Sequence, residues 1–268
     1  VREGLAGTDL ELQAYYLDAL RDPAALPRNA ERVTAAIRAF KPGVILVSDD
    51  EAMRLVVVPN FRGGPVPVLF CGVDWSADAY EVPSRFVTGM LETPPVGETI
   101  SLVKSNAPEI GRLFVLAGDT PRERQSHRFL DPIYWQSGLS TTYGLVSDFE
   151  KWKRAFAWAN RNADVIFFIS NAAIRHWDEA KAIVHIREHI RVPVFCCNPS
   201  MIRYCVVGRV SVDGEGGAWM AAQALRILAG TKPEEIPLAR NAESRVVGNS
   251  GLAARIQFPL PPGAALNP

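Results

Sequence analysis

The chain has 268 residues and a mass of 29.4 kDa, and 48% of its residues are hydrophobic and 22% charged. This composition excludes a disordered, collagen-like or coiled-coil protein. The 29 lysines and arginines balance the 29 aspartates and glutamates, and the pI is near 7.1. The charge therefore does not favour a nucleic acid or an anionic membrane as partner, and a small molecule or another protein is expected instead.

No run of apolar residues is long enough to predict a membrane-spanning helix. The opening residues Val1–Leu5 lack the charged and apolar regions of a signal peptide, so we expect a cytosolic protein or a processed form whose first element begins upstream. The four cysteines have no C-x-x-C spacing and are predicted to be buried or free thiols: Cys71, Cys196, Cys197 and Cys205.

Short β-branched runs alternate with amphipathic helical stretches along the chain. These runs predict nine strands, namely Leu10–Tyr16, Val44–Val47, Val66–Cys71, Leu113–Ala117, Thr141–Val146, Val165–Ile169, Val192–Cys196, Val206–Val212 and Ser244–Val247. Several are apolar throughout, which is typical of strands covered on both faces. The alternation predicts an α/β protein with doubly wound parallel sheets.

Recognisable signals mark the ends of four intervening helices. Thr120 and Ser48 each precede an acidic first turn and are predicted N-caps. The stretch Asp148–Asn160 carries one apolar stripe, and the helix Gly216–Ala229 is predicted to stop at Gly230.

Two segments are predicted to cross between two lobes. Val82–Gly97 is rich in proline and glycine and has no long helical pattern, and Val212–Gly214 is the second crossing. We therefore expect lobe 1 to hold residues 1–87 and 213–240 and lobe 2 to hold residues 88–212 and 241–268, with a hinge and an interlobe cleft.

Several segments resemble those of one family. They are Arg209–Asp213, Gly216-Gly217, Ala221-Ala222, Ile227–Pro233, Ile236-Pro237, Pro67–Val73, Val87–Gly89, and Asn249 leading into Leu252-Ala253. Over roughly residues 8–260 the chain resembles the ABC-transporter substrate-binding proteins of the tryptophan/tyrosine-binding type, which have the type I periplasmic binding-protein fold. In that family a first strand and helix precede the segment that starts here.

This resemblance implies a periplasmic or otherwise extracytoplasmic receptor, lipid-anchored in some forms, that closes two lobes on a small solute. The expected partners are that solute and the membrane subunits of an ABC permease, and a monomer without cofactor, metal or catalytic residues is expected. The first alternative is the ligand-sensing ectodomain of a membrane signalling receptor. An α/β enzyme and the effector domain of a transcriptional repressor are further alternatives.

Ligands of open α/β sheets bind beyond the carboxyl ends of the strands. This rule predicts ligand-binding residues in the loops after the predicted strands, namely Ser48, Asp49, Asp50, Gly72, Asp74, Trp75, Tyr80, Gly118, Asp119, Thr120, Ser170, Asn171, Asn198 and Asp213. An alternative is that Ser48, Thr120, Asn171 and Asn198 only cap helices. The two roles are compatible, because a capped helix end still offers free N–H groups.

Five of these residues are acidic, and the same loops contain no arginine or lysine. Acids around a cleft favour an ammonium group or a polyhydroxyl ligand over a carboxylate or phosphate. Trp75 and Tyr80 are predicted to provide a flat apolar or cation–π face, or else to cover the edge of the lobe. Related family members carry a small Gly-Thr-type sequence where this chain has Ser48–Asp50. This difference argues against assigning the family's tryptophan or tyrosine ligand to this chain. An amino-acid-like or amine-bearing solute is expected.

Three sequence patterns suggest metal binding or catalysis, but another feature argues against each of them. His185–His189 matches the H-x-x-E-H pattern of zinc proteases, but both histidines are predicted to point to solvent, opposite an apolar stripe of Trp177, Ala180, Ile183, Val184 and Ile190. Asp49 and Asp50 suggest a Mg²⁺ site, but no catalytic lysine is evident. The acidic Glu215 within Gly214–Gly217 argues against a phosphate loop, and binding without chemistry is the preferred hypothesis.

Overall fold

A computed structural model describes residues 1–18 and 22–267 of the chain. The chain forms two compact units. Unit 1 comprises Val1–Thr93 and Asp213–Ala242, and unit 2 comprises Pro94–Val212 together with the chain from Glu243 onwards.

Unit 1 is built on a parallel sheet with helices on both faces. Its strands are β1 (Ile45–Ser48), β2 (Val68–Asp74), β3 (Val87–Glu92) and β9 (Ala239–Arg240), and they lie side by side in that order. Its helices are α1 (Leu26–Phe40), α2 (Asp50–Ala52), α3 (Val58–Asn60) and α8 (Glu215–Leu228), and a π-helical turn, Met53–Val57, joins α2 to α3.

Successive residues of β2 point to opposite faces of the sheet, as the strand period of two requires. Val68 and Phe70 pack in one buried cluster with Met53 of the π-helical turn. Leu69 packs in a second cluster with Met220 of α8. Because both clusters exclude water, β2 is covered on both sides, and this accounts for its continuously apolar sequence.

Unit 2 contains a seven-stranded sheet with the order β11-β10-β8-β7-β6-β4-β5. The strands are β4 (Arg112–Gly118), β5 (Ser140–Val146), β6 (Val165–Phe168), β7 (Val194–Cys196), β8 (Val207–Ser211), β10 (Ser244–Asn249) and β11 (Ala265–Asn267). Neighbours are parallel except β8 and β10, which are antiparallel.

The helices of unit 2 are α4 (Val96–Asn106), α5 (Pro121–Gln136), α6 (Phe149–Asn162), α7 (Glu179–His189) and α9 (Ser250–Arg255). α4 contacts β7, β8 and α5, whereas α6 contacts α7 and strands β4–β6. Under α6 and α7, Trp152 stacks with Phe156 and Phe168 at centroid distances of 5.4 and 5.8 Å. The next ring along β6, Phe167, stacks instead on Phe195 at 4.6 Å. The sheet therefore has an apolar layer on both faces, as in a doubly wound fold.

The prediction of an α/β protein with two largely parallel sheets is confirmed, and eight of the nine predicted strands are present with shifted ends. The prediction for Leu10–Tyr16 is wrong, because that segment is exposed and forms no strand. β3 was not predicted, because Val87–Glu92 lies inside the proline-rich stretch interpreted as a crossing. The short strands β9 and β11 were not predicted either.

The predicted helix ends are confirmed at three positions. Thr120 caps α5 and Asp148 caps α6, each by accepting a hydrogen bond from a backbone N–H. α8 ends at Leu228, two residues before Gly230. The predicted cap at Ser48 is wrong, because Ser48 still belongs to β1 and Asp49 caps the helix that begins at Asp50.

Burial of the cysteines follows the prediction. Cys196, Cys197 and Cys205 are buried, Cys71 is half-buried, and all four are free thiols. None of the helices described is both long and apolar enough to cross a lipid bilayer.

Candidate functional site

In unit 1 the carboxyl ends of the first two strands lie next to each other. β1 and β2 pair from Ile45–Val68 to Ser48–Cys71, so β1 ends beside Cys71. β2 runs on to Asp74. We define the unit 1 rim as residues 48–50 and 71–75 together with Tyr80, and this is the position where open α/β sheets bind ligands.

Asp50 joins three segments of the unit 1 rim. The Tyr80 hydroxyl donates to Asp50 Oδ1 at 2.5 Å, and the backbone N–H of Asp74 donates to Asp50 Oδ2 at 3.2 Å. Burial of the half-buried Tyr80, followed by its hydrogen bond to Asp50, raises the pKa of the phenol. The phenol therefore stays protonated at neutral pH, and its donated hydrogen bond fixes the orientation of the carboxylate.

The backbone of the unit 1 rim is strained at Asp49. Its φ is +85°, a conformation that non-glycine residues rarely adopt. The Asp49 N–H donates to the Cys71 carbonyl at 3.0 Å, and Asp49 Oδ1 accepts from the Asp50 N–H at 2.8 Å. Such conformations cost of the order of 1–3 kcal/mol each and cluster at binding sites.

Gly72 allows the two strand ends to approach closely. A Cβ at this position would lie 3.3 Å from the Asp49 nitrogen and 3.4 Å from Ser48 Oγ, and the φ of Gly72 is +67°. A side chain here would crowd Asp49 and Ser48, and the positive φ is unfavourable for residues other than glycine. Glycine at this position thus keeps the loops after β1 and β2 in contact.

Arg240, at the end of β9, reaches the unit 1 rim. Its Nη1 donates to the carbonyl of Trp75 and to Thr93 Oγ1, both at 3.1 Å. Trp75, which has a φ of +57°, also donates its N–H to the Glu92 carbonyl at 3.0 Å. Arg240 was not among the predicted site residues, because a two-residue strand has no recognisable hydrophobic pattern.

The start of α8 also reaches the unit 1 rim. A Cβ on Gly216 would lie 3.0 Å from the Cβ of Cys71, so the first turn of α8 packs against β2. α8 begins after Gly214 without a side-chain cap. Asp213, predicted as a ligand residue, precedes this turn and is exposed.

In unit 2 the predicted residues after β4 form a local ion pair. Arg124 donates from Nε and Nη2 to the two carboxylate oxygens of Asp119, each at 2.8 Å. Thr120 Oγ1 accepts from the Glu123 N–H at 3.0 Å. The charge of Asp119 is therefore paired, and Thr120 acts as a helix cap. Gly118 ends β4 and allows Ala173 to pack at 3.0 Å from the position of a Cβ.

The predicted amide and hydroxyl residues of unit 2 make turn-type hydrogen bonds. Ser170 Oγ accepts from the Ala172 N–H at 3.1 Å. Asn198 Oδ1 accepts from the Ser200 N–H at 3.0 Å, and the carbonyl of Asn171 accepts from the N–H of Ile174 at 3.0 Å. These contacts order the loops after β6 and β7.

A second polar group of unit 2 follows β5 and was not predicted as a site. A hollow of about 420 Å³ is lined by Asp148, Phe149, Glu150, Arg175, His176, Asp178 and Lys181. The pKa of the Asp148 carboxyl is lowered, and the main cause is the hydrogen bond that it accepts from the Lys151 N–H. The Arg175 N–H donates to the Ser147 carbonyl at 3.1 Å. The sequence predicted only that a helix starts at Asp148.

The prediction of strand-end loops without positive charge needs correction. Arg240 contacts the unit 1 rim, and Arg124 and Arg175 contact the loops of unit 2. These arginines come from a strand end, a helix turn and a neighbouring loop, and their positions depend on tertiary contacts. Among the predicted acids, Asp119 is therefore paired with a cation, and Arg240 brings a positive charge to the unit 1 rim.

The predicted orientation of α7 is also wrong. Its buried residues are Ala182 and Ile186, whereas Val184 of the predicted stripe is 52% exposed. His185 lies on the buried side and contacts the rings of Trp152 and Phe156 in α6. The histidines therefore flank the contact between α6 and α7.

The comparison with known families agrees with this architecture. Residues 61–261 match the profile of the family described as ABC transporter substrate binding protein. The match covers most of the chain, and the chain belongs to this family of substrate-binding proteins. Among curated proteins no significant match was found.

Solved structures of other proteins share the fold. An ABC domain from Streptococcus pneumonia in complex with L-Trp is 13% identical, covers 90% of this chain and 85% of its own, and has a TM-score of 0.64. A conserved domain protein from Vibrio cholerae is 18% identical, with coverages of 90% and 83% and a TM-score of 0.65. A ligand-free, open substrate-binding protein with adhesive properties from Clostridium difficile is 12% identical, with coverages of 90% and 83% and a TM-score of 0.74.

These findings define the class of protein. The fold is that of type I periplasmic binding proteins, and the family is extracytoplasmic and in general not enzymatic. Its members take a small-molecule ligand and work with an ABC permease.

Proposed function

We propose that this protein captures a small amino-acid-like solute and delivers it to an ABC permease without changing it. The observation that carries this proposal is the unit 1 rim, which combines acids and aromatic side chains at one edge. The acids are Asp49, Asp50 and Asp74, and the aromatic side chains are Trp75 and Tyr80.

Carboxylates and aromatic faces both favour an ammonium group. Charge-assisted hydrogen bonds to a carboxylate are shorter and stronger than neutral ones, and a tryptophan face attracts a cation. Asp50 accepts hydrogen bonds from Tyr80 and Asp74, and an ionised carboxylate has about four acceptor sites. Asp50 therefore has capacity for a further donor on the ligand, in an orientation that Tyr80 has already fixed.

Arg240 extends the proposal from an amine to an amino acid. A guanidinium has five N–H donors in a planar fork that suits a carboxylate. Arg240 uses Nη1 for its contacts with Trp75 and Thr93, and its side chain is exposed. A solute with both an ammonium and a carboxylate group would complement the acids and Arg240 together. L-Trp, the ligand of the Streptococcus pneumonia structure, is such a solute and is the first probe.

We further propose that both units contact the ligand, with Asp213 at the crossing and residues of the loops after β4, β6 and β7 in unit 2. Ligand contacts from both sides would favour a closed state by hinge motion. The protein is proposed to act as a monomer outside the cytoplasm.

Calorimetric titration tests the ligand class and the unit 1 rim together. L-Trp is titrated first, followed by other amino acids, simple amines, sugars and nucleosides. Trp75→Ala is expected to weaken binding of the best amino acid at least tenfold, because it removes the aromatic face beside the acids. The melting temperature is expected to change little.

Trp135→Ala is the matched control, because Trp135 is 79% exposed on α5 and is not part of the unit 1 rim. It is expected to bind as the unaltered chain does. Equal affinities of the two variants would remove Trp75 from the site. A best ligand that lacks an amino group would contradict the proposed solute class.

A further inference from the structure

α7 carries three metal-ligating side chains close together on one face. His185, Glu188 and His189 are spaced i, i+3 and i+4, a spacing that places side chains next to each other on a helix. One ligand atom from each residue lies within 4.8 Å of the others. Among residues 1–18 and 22–267, no other group of three or more histidines, cysteines or acids has its ligand atoms this close together.

Hydrogen bonds to carbonyl groups define which nitrogen of each histidine is free. His185 Nε2 lies 3.0 Å from the Lys153 carbonyl, and His189 Nδ1 lies 2.9 Å from the His185 carbonyl. A carbonyl only accepts, so these two nitrogens carry the protons. Neutral imidazoles then have their lone pairs on His185 Nδ1 and His189 Nε2. Metal-binding histidines typically donate their second nitrogen to a carbonyl or carboxylate in this way.

In this cluster the His185 ring is held by packing, and the other side of the cluster is open to solvent. His185 lies against Trp152 and Phe156 at centroid distances of 5.7 and 6.1 Å, which restricts its rotation. Glu188 is exposed and leaves the cluster open to water. The nearby cation of Lys153 is paired with Glu150 at 2.7 Å.

We propose that His185, Glu188 and His189 form a binding site for a divalent transition metal of the Zn²⁺ class on α7. Two imidazoles and one carboxylate suit Zn²⁺, with water as the fourth ligand. Bond lengths of about 2.0–2.1 Å in a tetrahedron place the ligand atoms roughly 3.3 Å apart. The imidazoles of His185 and His189 stack at a centroid distance of 4.0 Å, so the ring of His189 would turn out of this stack to reach that spacing. The site is independent of the proposed solute site.

Calorimetric titration of the whole chain with Zn²⁺, after treatment with a chelator, tests this site. One Zn²⁺ is expected to bind per chain, and Mg²⁺, which prefers oxygen ligands, is expected not to bind. His189→Ala and Glu188→Gln are each expected to weaken Zn²⁺ binding at least tenfold. Both positions lie in the last turn of α7, and Glu188 is exposed there.

His176→Asn is the matched control, because His176 is exposed outside the cluster and asparagine tolerates its φ of +59°. This variant is expected to bind Zn²⁺ as the unaltered chain does. Since a ligand of the folded state raises the melting temperature, Zn²⁺ should stabilise the unaltered chain and His176→Asn but not His189→Ala. Absence of Zn²⁺ binding, or equal Zn²⁺ affinity in all variants, would overturn the site.

Discussion

The ring of Phe70 lies directly against the backbone of Gly89, between β2 and β3. A Cβ at Gly89 would be 2.4–2.5 Å from three ring carbons. Phe70 is fully buried, so the ring has no space to move into. Gly89→Ala is therefore expected to lower the free energy of unfolding by about 2 kcal/mol, the typical cost of overpacking a core. Urea denaturation measures this change.

Gly63→Ala is the control for this prediction. No atom lies within 4 Å of a Cβ at Gly63, and its φ is not positive, so the free energy of unfolding should stay nearly constant. If the two alanine variants were equally stable, the close contact between Gly89 and Phe70 would be excluded as a constraint on the sheet.

At the same scale, the residues of the unit 1 rim were predictable only in part. The strand-end rule identifies Asp50, Asp74 and Trp75 because each closely follows an apolar run. The rule does not predict that Tyr80 donates to Asp50 across thirty residues of chain, or that Arg240 reaches Trp75 across 165 residues. Such contacts depend on the tertiary fold, which no local pattern encodes.

At the scale of elements, apolar runs predict a strand well when both faces of the strand are buried. Every residue of Val165–Phe168 is buried, and its four apolar residues in a row predict a strand covered on both faces. Leu10–Tyr16 was also predicted as a strand although Glu11 and Gln13 interrupt its apolar residues, and Leu10 is 42% and Tyr16 70% exposed, because no neighbouring strand pairs with this segment. A strand requires a partner as well as a pattern, and the partner is not visible in the sequence.

Helix orientation shows the same limit. The stripe predicted for α7 included Val184, but packing against α6 buries Ala182 and Ile186 instead. α7 has eleven residues and few large apolar side chains, so two faces have similar hydrophobicity. The neighbouring aromatic cluster of α6 decides between them. This rotation places His185 beside Trp152 and gives the proposed metal site its fixed ring.

At the scale of the whole molecule, the proposed mechanism predicts a change of shape on binding. If both units contact the solute, small-angle scattering should show a smaller radius of gyration at saturation with the best ligand than without it. A radius of gyration that stays constant at saturation would contradict hinge closure while leaving binding at the unit 1 rim intact.

The most direct test of the account is native mass spectrometry of the protein mixed with amino acids, amines and sugars, followed by mass analysis of the released solute. The account predicts a one-to-one complex with a compound that carries an ammonium group, and release of that compound with its mass unchanged. Complexes formed only with solutes that lack an amino group, or a released compound of altered mass, would contradict it.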